Sequence, residues 1–178
     1  AEVEKDGVDL PAITGEMQNC YAGCYTSMNR VKKTYRQVEH LLMEVERMCA
    51  LAWWRDRMPY PADILESAWK DVLFVQFHDI LPGSGAPQVE ADALQQLHHA
   101  GENLRHLRLC CLTALLKDEA KARPGDTPVF ITNPHPFRVK TQVEFEYNTA
   151  HKPPEAGSVV LRDRSRKKLR FQPIKEDH

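Results

Sequence analysis

Val75-Gln76-Phe77-His78-Asp79-Ile80-Leu81-Pro82-Gly83 stands between two runs of helical periodicity. Pro82 has no backbone N–H to give to a helix, and Gly83 favours the backbone that ends one, so a helix entering this stretch closes within it. A His-Asp pair is left at its last turn. A neutral imidazole beside a carboxylate, on a rigid element with a sharp stop behind it, suits a metal or sugar site. Alone, His78 supplies one ligand.

Working outward, Pro61 sits where a first helical turn tolerates proline, with Asp63 and Glu66 near the positive end of the helix. Ile64, Leu65, Ala68, Trp69, Val72, Val75 and Gln76 then form one face, which predicts a helix running to about Ile80. Upstream, beyond the N-capping types Thr26 and Ser27, apolar side chains recur at Met28, Val31, Tyr35, Val38, Leu42, Val45, Cys49 and Ala52. That alternation of threes and fours is a bundle-type seam on a long helix ending near Arg57 to Pro59. Downstream, Pro87 opens a third helix whose seam is Ala93, Leu97, Ala100, Leu104, Leu107, Cys111 and Ala114. Three long helices with short connections make a three-helix bundle.

At about 100° per residue, Phe74 and Phe77 point away from the seam of the second helix. Exposed, they form an apolar patch of the kind that marks an interface. The helix end is apolar nearly all round and carries a polar pair at its tip, so a further layer of protein packing on Phe74 and Phe77 and meeting His78 is expected. The alternative is that His78 simply caps the helix C-terminus.

Outside the bundle the pattern changes. The first 24 residues are broken by Gly7, Pro11, Gly15 and Gly23 and read as an extended lead-in from a preceding domain. Pro124-Gly125-Asp126-Thr127-Pro128 is a clear breaker, after which the period becomes two: Val129 to Thr132, Val139 to Tyr147, Val159 to Leu161 and Leu169 to Phe171. The fold class expected is therefore mainly α: a lead-in over 1–24, a three-helix bundle over 25–122, and over 123–178 a few β-strands of a truncated all-β domain. An initial Ala rather than Met fits a chain processed or cut from something longer.

Composition excludes several functions. With 24 Lys and Arg against 25 Asp and Glu, a net charge of −1 gives no support to a nucleic-acid or acidic-membrane partner. No run approaches the roughly 18 apolar residues that a membrane span needs. Five cysteines, Cys20, Cys24, Cys49, Cys110 and Cys111, are odd in number and match no zinc signature, and no Asn-x-Ser/Thr sequon occurs, so a reducing cytoplasm is expected. His98, Glu102 and His106, spaced i, i+4, i+8, fall off the seam of the third helix and read as a solvated face. No phosphate-binding loop, nucleophile elbow or His-Glu-x-x-His helix is present, and Glu16 and Asp79 are not connected as an acid/base pair.

Gln76-Phe77-His78-Asp79-Ile80-Leu81-Pro82-Gly83-Ser84, preceded by Ala68-Trp69-Lys70, resembles the motif closing the second helix in the middle domain of glycoside hydrolase family 38, the zinc-dependent α-mannosidases. Gly15-Glu16-Met17 with Gly23-Cys24-Tyr25-Thr26-Ser27 and the following basic helix with Glu39 and Leu41-Leu42 resembles that family's Gly-Glu-Leu and Gly-x-Tyr-Thr-Ser segment. Phe130-Ile131-Thr132-Asn133-Pro134 with Phe137 is similar to the start of its C-terminal β domain. The three matches keep the family's order. Departures are Met17 in place of Leu, and Tyr21-Ala22 where the family commonly has His-Arg.

The resemblance implies that His78 is one of four zinc ligands and that Asp79 contacts sugar hydroxyls. The other ligands, the nucleophile and the acid then lie in an N-terminal catalytic domain outside this chain, so no catalytic residue is assigned here. It also implies an α-mannoside substrate, retaining hydrolysis by the parent protein, a fragment inactive by itself, and intramolecular partners in the N-terminal domain and the rest of the β domain. The Ile-Leu-Pro-Gly form looks like that of cytoplasmic and bacterial members. The alternative from another class is a non-catalytic helical protein-interaction module, using Phe74 and Phe77.

Overall fold

The computed structural model describes residues 5–7, 11–17, 20–146 and 159–172. Three α-helices, α1 (Asn29–Trp54), α2 (Ala62–Val75) and α3 (Pro87–Leu116), follow a short 3₁₀ turn at Ala22–Tyr25. The chain divides into one unit over Ala1–Arg138 and a second over Val139–His178.

The seam expected for α1 is the one that is buried: Val31, Tyr35, Val38, Leu42, Val45, Cys49 and Ala52, with Met48 in addition. Its start differs from expectation, because the residue before the first turn is Met28 in left-handed backbone, φ 45°, and no side chain caps the helix. Its end is a Schellman turn: Arg57 N–H donates to Ala52 O at 2.8 Å and Asp56 N–H to Trp53 O at 2.9 Å, around Asp56 at φ 56°. Those bonds satisfy carbonyls the helix leaves free.

On α2 the buried face is Leu65, Ala68, Val72 and Val75. Ile64, expected on that face, is 44% exposed. The α-helix stops at Val75, before the expected Ile80, and continues as tighter turns: Gln76 N–H donates to Leu73 O and Phe77 N–H to Phe74 O, each at 3.1 Å. Apolar period alone does not separate such i, i+3 turns from one more α-helical turn. Ile80 still reaches the core, buried among the residues of all three helices.

Proline at the start of α3 sits where a free N–H would have had no partner. The small residues Ala93, Ala100 and Gly101 are buried on this helix beside Leu94, Leu97, Leu104, Leu107 and Cys111. A Cβ added at Gly101 would stand 3.5 Å from Val38 Cγ2, an ordinary van der Waals contact, so this position faces α1 without requiring glycine. The core is a single cluster drawn from all three helices; each fully buried Leu or Val in it contributes about 1.5–3 kcal/mol. Polar bridges lie along the seams: Trp69 Nε1 donates to Glu46 Oε1 at 3.3 Å across α1 and α2, and Gln96 Nε2 to Asp71 Oδ1 at 3.0 Å across α2 and α3.

Beyond α3, among the described residues, no strand forms over 129–132, 139–146, 159–161 or 169–171; Tyr147 lies outside the described residues. An alternating sequence becomes a strand only when a second chain segment takes up its N–H and C=O groups. One antiparallel bridge, Arg162 with Lys168, supplies that here, with Leu169 N–H donating to Leu161 O at 2.9 Å. Its loop is closed by Asp163, whose Oδ1 accepts from Ser165 Oγ at 2.7 Å and Lys167 N–H at 2.9 Å; the first of these bonds, chiefly, holds the exposed carboxyl below its ordinary pKa. In the first unit, Asn133 forms a turn: its Oδ1 accepts from His135 N–H at 3.1 Å and its Nδ2 donates to Phe137 O at 2.8 Å. No described helix is long and apolar enough to cross a membrane.

Candidate functional site

The turns after α2 are fastened to the start of α1. Ser27 Oγ donates to Pro82 O at 2.9 Å, and the half-buried Lys32 ammonium donates to Ser27 O at 2.5 Å and Pro82 O at 3.2 Å. A carbonyl left without its helical donor by Pro82 and Gly83 is thereby satisfied by a hydroxyl and a charge. Gly83, at φ 81°, lies directly on Ser27: a Cβ there would stand 2.9 Å from Ser27 O. Only glycine takes both that backbone and that approach.

One turn earlier, Gln76 Nε2 donates to Tyr35 OH at 2.5 Å, and Tyr35 OH donates to Glu39 Oε1 at 2.9 Å. Burial, chiefly, raises the Tyr35 phenol above its ordinary pKa, which keeps it a hydroxyl. Two stretches 55 residues apart, the Tyr25-Thr26-Ser27 segment and the His78-to-Gly83 loop, are thus held as one piece. The sequence missed this role for Ser27, which reads as a helix cap; a glycine after Pro82 was the one signal of close approach.

His78 and Asp79 stand on the outside of that fastened loop. Their side chains are 78% and 56% exposed, with His78 Nε2 at 3.4 Å from Asp79 Oδ2. The Phe77 ring packs on the imidazole, centroids 4.2 Å apart, and Ser84 Oγ donates to Asp79 Oδ1 at 3.2 Å. His78 lies three residues past the end of α2 at Val75; its partner is the neighbouring carboxylate, where a helix cap would face the last carbonyls. Phe74 and Phe77 are 60% and 52% exposed, as the helix arithmetic predicts.

The donor set bears on metal binding. An imidazole nitrogen suits zinc, whose sites take four ligands, and His78 offers one on a fixed loop. Among the described residues no three His, Cys, Asp or Glu side chains are grouped to hold a metal, and His78 stands there as a single imidazole donor beside Asp79. His98, Glu102 and His106 are exposed along α3, where Glu102 pairs with Arg105 and His106 Nε2 lies 3.7 Å from Cys110 Sγ. Cys20 is exposed and Cys24 half-buried, both free thiols. Glu16 lies in the described part of the lead-in and is exposed.

Comparison with known proteins gives concordant matches. Residues 19–115 match the family described as the alpha mannosidase middle domain. The chain is 30% identical over 161 residues to Alpha-mannosidase 2C1 of Homo sapiens, an alignment covering 89% of this chain and 15% of that protein. It is 36% identical over 97 residues to Alpha-mannosidase of Saccharomyces cerevisiae, covering 52% of this chain and 9% of that one. The chain therefore spans only a small part of the length of these relatives.

Proposed function

This chain belongs to the alpha-mannosidase middle-domain family, and from that premise we propose that it is the helical segment of a retaining, zinc-dependent α-mannosidase of glycoside hydrolase family 38. In this reading a catalytic domain preceding the bundle packs on Phe74 and Phe77 and shares its site with the His78 loop. The parent hydrolyses an α-mannoside, and this chain alone is inactive.

The observation that carries the reading is the loop itself: an exposed His-Asp pair held rigid by Ser27, Lys32 and the glycine backbone at Gly83. A ligand that must meet three others at a metal has to be placed in advance, and a side chain on a fastened turn is so placed. His78 would supply an imidazole nitrogen to the zinc. Asp79, beside it, orients sugar hydroxyls by accepting their hydrogen bonds. The chemistry a bound zinc would supply there is Lewis-acid polarisation and orientation of sugar hydroxyls. The attacking carboxylate and the acid for the leaving oxygen come from the other domain.

Two coarser proposals go with it. Residues 129–132, 139–146, 159–161 and 169–171 become strands of a β domain once partner strands are present. The cytoplasm is the proposed compartment, on the five free thiols and the Ile-Leu-Pro-Gly form of the loop.

The test is hydrolysis of an aryl α-mannoside by the full-length protein, native and His78→Ala, with zinc measured on the same samples. Activity and bound zinc are both expected to fall at least about tenfold, because the ligands left behind hold the metal weakly. An active, zinc-replete variant would remove His78 from the site. It would favour the second reading, a helical interaction module working through the exposed Phe74 and Phe77.

A further inference from the structure

Cys49 on α1 and Cys111 on α3 are both fully buried, with their Sγ atoms 3.2 Å apart. The pair joins positions 62 residues apart and lies roughly 30 Å along α1 from Ser27, so the site described above does not use it. Cys111 S–H donates to Met58 Sδ at 3.6 Å, which leaves the shared hydrogen bond to be donated by Cys49. That bond, first, and burial, second, push the Cys49 thiol up. The same bond, donated to the Cys111 sulfur, favours a thiolate there against the cost of burial.

We propose that this pair is an oxidation site, which hydrogen peroxide converts into a Cys49–Cys111 disulfide stapling α1 to α3. The sulfurs need to close by only about 1.2 Å to reach a bond of roughly 2.05 Å. Both lie five residues before the ends of their helices, Trp54 and Leu116, where local opening admits a water-sized oxidant most readily. The Cys111 thiolate attacks one peroxide oxygen and the O–O bond breaks; the departing hydroxide takes up the thiol proton as water, leaving a sulfenic acid. Cys49 sulfur then attacks the Cys111 sulfur, the S–O bond breaks, and the hydroxyl leaves with the Cys49 proton as a second water. Two thiols lose two electrons and one peroxide becomes two waters. Cys110 is exposed, with its Sγ 3.7 Å from His106 Nε2.

The full chain is exposed to hydrogen peroxide, the excess is removed with catalase, remaining thiols are alkylated in denaturant, and the digest is read by mass spectrometry without reduction. The expected product is one peptide pair joined through Cys49 and Cys111, absent from Cys49→Ala and cleaved by dithiothreitol. The oxidised chain is expected to melt several degrees higher, since the cross-link closes a long loop in the unfolded state. Full alkylation of Cys49 and Cys111 at a dose that already oxidises Cys110 would overturn the proposal, as would capture of Cys111 by any thiol other than Cys49. The map of the native chain decides the matter even where Cys49→Ala does not fold.

Discussion

At the scale of single residues, the site depends on a glycine that touches no substrate in any reading. Gly83 and Gly125 share almost the same backbone, φ 81° and 84°. A Cβ at Gly125 meets nothing within 4 Å, whereas at Gly83 it meets the Ser27 backbone. Gly125→Ala is expected to cost about 1 kcal/mol, the strain of that backbone alone, and Gly83→Ala about 2–4 kcal/mol, strain plus displacement of Ser27. Urea midpoints of the two variants check this. Equal costs would mean that the Ser27–Pro82 fastening does not constrain the loop. A stop close behind the His78-Asp79 pair was legible from Pro82 and Gly83, although the pair lies past the end of α2 and not in its last turn. The fastening of the loop was not, because Ser27 reads locally as an N-cap and only the fold shows that its hydroxyl goes to a carbonyl 55 residues away.

At the scale of elements, what was legible is what repeats. The seams of α1 and α3 were read nearly residue for residue, since a period sustained over seven or eight apolar positions leaves one face to bury. The end of α2 was not, because the tight turns over 76–80 keep the apolar residues at helix-like spacing. Strands are the harder case: Val143 and Phe145 alternate as a strand does, yet pairing is a property of two segments, and within the second unit one bridge alone forms among the described residues. The two faces of α2 and the seam of α3 give a direct contrast. Leu104→Ala, at 0% exposure, is expected to cost about 2–5 kcal/mol through lost transfer energy and the cavity left behind. Phe74→Ala, at 60% exposure, is expected to stay within about 0.5 kcal/mol in this chain. Thermal melts of both variants measure it; a large loss for Phe74→Ala would mean that its ring is part of the bundle's own core and free for no other domain.

At the scale of the whole molecule, stability and the candidate site reside in the same unit. Every buried hydrophobic residue among those described lies between Val31 and Cys111, inside the first unit, Ala1–Arg138. The fastening of the His78 loop, from Ser27, Lys32 and Tyr35, lies there too. The described residues of the second unit, 139–146 and 159–172, add none of this core, because a few extended segments without a sheet bury too little apolar surface to offset the entropy of ordering them. Truncation after Arg138 is therefore expected to keep the helical circular dichroism and to leave the melting midpoint within about 2 °C, a shift worth well under 1 kcal/mol for a unit of this size. A broad, non-cooperative melt of the truncated chain would show that the second unit holds the bundle together. An unchanged melt would mean that a self-sufficient helical unit carries the loop, so that the position of His78 is fixed by the bundle without the second unit.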